Sequence, residues 1–169
     1  MNVKFCDSEY VKNNTSVEKN VDNNLINIHI LTASNIDVKL CLGQTYYDHL
    51  VQAKIDGTLT NEEDILIDSY IKPFVAHKTH YYLFPHIYVS TSNNGLQEGS
   101  ATNSASTSFN TYKSIRNNVE NIADAYLIRL ENELKDNCSN KYPLAVSKFG
   151  DNPQANRMTN KMGIYLGKY

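Results

Sequence analysis

Apolar residues recur at helical spacing along most of the chain. Val21, Leu25, Ile28 and Leu31 or Thr32 step by three or four, predicting a first helix of roughly four turns. Ser34 or Asn35 then serves as an N-cap that restarts the chain in a short helix carrying Ile36, Leu40 and Cys41. Beyond Gly43, the positions Tyr46 or Tyr47, Leu50, Val51 and Ile55 predict another helix, stopped by Asp56 and Gly57. Thr60 with Glu63 reads as a capping box. It opens a block whose stripe runs through Ile67, Tyr70 or Ile71, Phe74 and Val75 and on to Tyr81, Tyr82 and Phe84. Pro73 kinks this helix or begins a second one, because it removes a backbone donor and crowds the preceding turn; Pro85 ends the block. The clearest helix is the last. Tyr112, Ile115, Val119, Ile122, Tyr126, Leu130 and Leu134 follow one face over about six turns. On its other face, Arg116 with Glu120, Arg129 with Glu133, and Glu131 with Lys135 stand at ion-pairing spacing.

The segment between the last two helical blocks has a different character. From Thr79 to Tyr112, Glu98 is the only formally charged side chain. Ile87, Tyr88 and Val89 begin a predicted strand that ends at Thr91. Asn93, Asn94 and Gly95 form a turn, and Leu96–Glu98 pairs back as a second short strand. Residues 99–108 are loop, rich in Ser, Thr and Asn. This run reads either as a flexible loop or as one that orders on a neighbour, since neutral polar groups avoid the cost of desolvating ions.

Residues 1–20 read as a loosely ordered arm with a short strand near Val3–Phe5. After Asn140 helical periodicity stops, and Tyr142, Pro143 and Leu144 open an extended segment that ends in Ile164, Tyr165, Leu166 and Tyr169. Its aromatic content favours an arm that docks, by strand addition to an exposed edge, over a disordered tail. The expected fold is therefore mainly α: a small helical bundle with an inserted β-hairpin and long loop, and an extended C-terminal arm. The boundaries are an N-terminal arm at 1–20, a core at 21–140 with hairpin and loop at 87–108, and a docking arm at 141–169. On that division, a truncation after Asn140 leaves a folded core that fails to join its partner.

Composition narrows the function classes. A chain of 169 residues suits one domain. With 16 basic and 18 acidic residues it lacks the basic face of a nucleic-acid gripper, although such a wall lets DNA slide past. The 22 Asn read as drift in an AT-rich genome or as a neutral hydrogen-bonding surface. The 12 Tyr suit interfaces as well as cores. Cys6, Cys41 and Cys138 are widely spaced and form no paired motif, which fits a reducing compartment and argues against a disulfide scaffold or zinc site. No signal peptide is expected, nor any stretch of transmembrane length.

No catalytic constellation emerges. His77 and His80 stand three apart with His86 following, but no acidic or Cys partner lies nearby in sequence to complete a metal site. Cys41 and His49 lack a third orienting residue, so Cys41 reads as structural. Glu62, Glu63 and Asp64 sit where acidic groups favour a helix dipole. No phosphate loop, zinc-protease or nucleophile-elbow motif is present, and no enzyme activity, metal or cofactor is expected.

The order of these parts, with the stretch Ile36–Gly43 (IDVKLCLG), Tyr46–Leu50, the helix around Leu66–Pro73, and Tyr142, Pro143 and Leu144, resembles the head–tail connector, or adaptor, proteins of tailed bacteriophages. The nearest likeness is to the connector ring proteins of crAss-like phages, over about Val21 to Val146. The resemblance implies a structural virion protein at the head–tail interface, formed in the host cytoplasm. It implies a homo-oligomeric ring, a dodecamer, bound to the portal protein and to a tail component or second connector ring. Double-stranded DNA would pass through without specific binding, and no membrane is involved. The interface residues it suggests are Ile87, Tyr88, Val89, Asn94, Gly95, Leu96, Tyr142, Pro143, Leu144, Ile164, Tyr165 and Leu166. A nucleic-acid-binding or packaging-associated phage protein is the alternative; a small enzyme is a third class.

Overall fold

The computed structural model of the chain describes residues 3–92, 95–98 and 109–145. Structure begins earlier than the polar N-terminus suggests. Asp7 caps helix α1 (Ser8–Asn14), its carboxylate accepting the Tyr10 amide at 2.7 Å. Phe5, Cys6, Val11 and Val17 are buried in the main core, with Val11 fully inaccessible. The expected loose arm and its strand at Val3–Phe5 are therefore corrected. Four apolar side chains too sparse to show a period still suffice to dock a short helix.

The next run is one continuous helical path. Helix α2 (Asn23–Thr32) passes into a π-helical turn (Ala33–Val38) and then α3 (Lys39–Leu42). The expected restart at Ser34 or Asn35 does not occur: Ser34 is buried inside the π turn, where its hydroxyl accepts the Phe5 amide at 3.5 Å. The buried face is also shifted. Ile26, Ile30, Ala33, Val38, Cys41 and Leu42 point inward, whereas Ile28, Ile36 and Leu40 are 59%, 53% and 70% exposed. This 20-residue path, Asn23–Leu42, has a mean hydropathy of 1.3, so the expectation that no stretch reaches membrane-spanning length is corrected. Its inward residues pack in the protein core, and Asp37 is tied to Tyr82, which is how a core helix behaves.

Gly43 (φ 81°, ψ 156°) turns the chain into α4 (Gln44–Asp56) through a conformation that is essentially glycine-only. Helix α4 buries Tyr46, Tyr47, Leu50 and Val51 and leaves Ile55 at the surface. Gly57, in the left-handed region at φ 68°, stops it. Helix α5 (Asn61–Leu66) starts on the reciprocal capping box of Thr60 and Glu63. A second π turn (Ile67–Ile71) leads into α6 (Lys72–Tyr88). Pro73 thus falls directly after the π turn, as the second residue of α6 in a helical path that continues through it. Pro85 does not end the helix, which continues through Ile87 to Tyr88. Those two residues are helical rather than strand.

Helix α7 (Phe109–Asn137) packs along α6, which also meets α1 and α2. Val119, Ala123, Leu130 and Leu134 are its buried residues, and Ile122 is 40% exposed. Among the described residues none of the ion pairs anticipated on its outer face forms, and two of the arginines meet tyrosines instead. Arg116 lies over the Tyr81 ring at 5.0 Å and donates to its hydroxyl at 2.7 Å, and Arg129 covers Tyr70 at 5.0 Å. Cation–aromatic contacts therefore join α7 to α6 and to the second π turn. Tyr142, before a short 3₁₀ turn (Pro143–Ala145), is 1% exposed, and Ala145 is fully buried. The fold is a mainly α helical bundle. Two four-residue extended stretches, β1 (Val89–Ser92) and β2 (Gly95–Glu98), pair antiparallel with Val89 opposite Glu98. A pair this short is marginal alone in water and adds no layer to the bundle.

Candidate functional site

Three segments remote in sequence meet in a groove of about 320 Å³. Helix α6 contributes His77, His80, Phe84 and Ile87 to it, and α7 contributes Ile115, Asn118, Val119 and Ile122. The end of α1 and the connection after it add Asn14, Thr15, Ser16 and Glu18. The helical spacing of His77, His80, Phe84 and Ile87 puts all four on one side of α6. His77 is held flat on Tyr126, ring centroids 4.4 Å apart and nearly parallel. His80 is 9% exposed and meets the edge of Phe84. Its imidazole makes no hydrogen bond among the described residues. Burial lowers the basicity of both rings, and the neighbouring His77 lowers that of His80 further, to about 4. Both are therefore neutral at pH 7, each offering one donor and one acceptor nitrogen. The groove presents apolar walls, a neutral hydrogen-bonding floor and the Glu18 carboxylate near its mouth. Such a place can bind.

The other anticipated chemistry is dispersed. His86 lies tilted against His29, ring centroids 4.9 Å apart, instead of joining His77 and His80. Among the described residues no group of three or more His, Cys, Asp or Glu is placed to hold a metal ion. Cys41 is buried, and His49 pairs not with it but with Glu63, Nε2 to Oε1 at 2.7 Å. Glu63 is 6% exposed and also accepts the Thr60 amide at 3.0 Å, so this carboxylate both pairs with His49 and caps α5. Burial pushes the Cys6 thiol up to about 12, which removes it as a nucleophile. Near the first π turn, burial raises the Asp37 carboxyl, opposed by the Tyr82 hydroxyl at 2.9 Å and Lys78 at 3.8 Å.

The anticipated interface residues fall into three groups. Ile87 is 40% exposed at the groove; Tyr88 closes α6, and Val89, Gly95 and Leu96 lie in the paired extended stretches. Pro143 and Leu144 are at the surface, beside a second hollow of about 500 Å³ lined by Tyr46, His49 and Glu62. Tyr142 is corrected: it belongs to the core, its ring 6.2 Å from Tyr46 and its hydroxyl donating to Glu133 at 3.2 Å. The folded body therefore reaches at least to Ala145, past the expected boundary at residue 141, and the expectation that a chain cut after Asn140 keeps an intact core is withdrawn. Asn94, Ile164, Tyr165 and Leu166 lie outside the described residues. Sequence reasoning missed the 14–18 connection altogether. The cue was Asp7 ahead of SEYVKNN, an N-cap before a short helix.

A family model described as a family of unknown function, DUF6712, matches residues 38–148, more than half of the chain. No curated protein and no solved structure gives a significant match.

Proposed function

The chain belongs to the DUF6712 family, and we propose that it is a structural virion protein, a head–tail connector ring subunit that bridges portal and tail and forms part of the DNA ejection conduit. The observation that carries this reading is the solvent side of the Asn23–Leu42 path. Ile28, Ile36 and Leu40 are each more than half exposed there, where an amphipathic core helix would place polar groups. The α6–α7 groove is a second, distinct surface. A ring closed by rotation needs more than one kind of contact surface on each subunit. The order of parts resembling phage connectors supports the same reading, and its net charge of −2 suits a wall past which DNA slides without being gripped. The extended pair at 89–98 and the segment after Ala145 are the parts assigned to neighbours.

The test is particle mass in solution, with and without a portal ring, together with images of the assembly. A ring with rotational symmetry, formed alone or on the portal, supports the proposal. A monomer that ignores the portal under both conditions refutes it.

A further inference from the structure

The groove between α6 and α7 has features that a purely solvated crevice does not need. His80 is 9% exposed, lines the groove and makes no hydrogen bond among the described residues. Its nitrogens are not among the fully buried unpartnered atoms, so an occupant of the groove can hydrogen-bond to the imidazole in place of water. Ile87 and Ile122, each 40% exposed, form apolar walls at the opening. Glu18 at the rim enters none of the ion pairs among the described residues. The volume, about 320 Å³, sits at the small end of ligand-sized pockets and suits one large side chain rather than a cofactor. The chemistry called for is an aromatic ring with a polar tip, flanked by aliphatic residues and followed by a cation.

The chain itself carries such a segment. Gly163–Tyr169 reads GIYLGKY, with Tyr165 between Ile164 and Leu166 and Lys168 three residues on. Beyond Ala145 the basic residues Lys148, Arg157, Lys161 and Lys168 face a single acidic one, Asp151, which complements Glu18. We propose that the groove is the seat for Gly163–Tyr169 of a second copy of the chain, with the Tyr165 ring between α6 and α7 and its hydroxyl on His80. The inference rests on the ring reading above for the presence of that copy. Reach is ample. The described chain ends just past the C-terminus of α7, about 25 Å along the helix from Val119. Residues 146–164 span up to about 60 Å when extended. A tyrosine suits the site because its ring buries apolar area at little entropic cost while its hydroxyl meets a buried imidazole.

The experiment uses the full chain carrying Tyr165→Ala, isotopically labelled, so that its groove is empty and the ring signals of His77 and His80 can be followed by NMR. Two ligands are added separately: a synthetic peptide of residues 158–169, and the unlabelled, unmodified chain. Both are expected to shift the two histidines saturably at one to one. Adding Ile122→Lys to the labelled chain is expected to weaken both effects at least tenfold, with an unchanged melting temperature showing that the fold survives. No shift with 1 mM peptide, or equal affinity with Ile122→Lys, overturns the proposal. A shift with peptide but none with the unmodified chain also overturns it, since the tail then stays with its own molecule. Portal binding is measured on the same samples. Histidine shifts without portal binding leave this inference standing and remove the connector reading; portal binding without shifts does the reverse.

Discussion

Replacing Tyr142 by Ala in the full chain tests where the folded body ends. Tyr142 is 1% exposed, its ring lies against Tyr46, and its hydroxyl donates to Glu133 at 3.2 Å. Truncating a buried aromatic residue to Ala costs about 3–5 kcal/mol, the spread reflecting how far the site collapses. Against a total stability of roughly 5–15 kcal/mol, that is a large share. For a chain of this size it corresponds to a fall of about 6–20 °C in melting temperature. Two companions divide the effect. Tyr142→Phe keeps the ring and removes one hydrogen bond; Lys141 still approaches Glu133 at 3.6 Å, so the loss is about 1 kcal/mol. Leu144→Ala, two residues on and 41% exposed, is expected to cost about 0.5 kcal/mol. The assay is urea denaturation followed by far-UV circular dichroism, with the slope checked for constancy between variants. If Tyr142→Ala falls within about 1 kcal/mol of Leu144→Ala, the placement of Tyr142 in the core is wrong and the arm starts where the sequence first suggested.

Three further outcomes follow from particular residues. His80 has a folded-state pKa of about 4 against an ordinary 6.5, so above pH 6.5 it is neutral in both states and its contribution is complete. Between pH 6.5 and 4 only the unfolded chain takes up the proton, so about 3 kcal/mol is lost with acidification; urea melts across that range should flatten in His80→Leu, and an unchanged slope refutes the assignment. Gly43→Ala forces a side chain into a glycine-only conformation at φ 81°, ψ 156° and is expected to cost about 1–3 kcal/mol by thermal melting. Thr60→Ala removes the cap of α5 and should cost about 0.5–2 kcal/mol, read in the same melts; no measurable loss would mean that the Glu63 side chain alone sustains that helix start.

Local signals in the sequence read well, and long-range ones did not. The Thr60–Glu63 capping box and the Gly57 stop depend on neighbours a few residues apart, and both are present. The core face of the first helix runs through Ile26 and Ile30 rather than Ile28, because apolar residues occupy both sides of α2 and spacing alone does not choose between them; beyond it the π turn, which nothing local announces, leaves Leu40 outside and Cys41 and Leu42 inside. Residues 3–20 looked unordered because Phe5, Val11 and Val17 follow no period, and their burial comes from α6 and α2 rather than from their own pattern. Tyr142 was assigned to the arm because Pro143 follows it and helical spacing had ceased. Of the candidate site, Ile87 was identified as a surface contact residue, but the groove it borders joins segments about 100 residues apart and is invisible to spacing rules.

The two π turns leave this chain with little tolerance for small changes in length. Each inserts one residue beyond the α repeat, which re-phases whatever comes after by about 100° on the helical screw. Losing a single amino acid anywhere in Ala33–Val38 would shorten the molecule by almost nothing and still swing Cys41 and Leu42 off their inward bearing. Variation at these two places is thus confined to substitutions, or to a deletion matched by an insertion within the same turn.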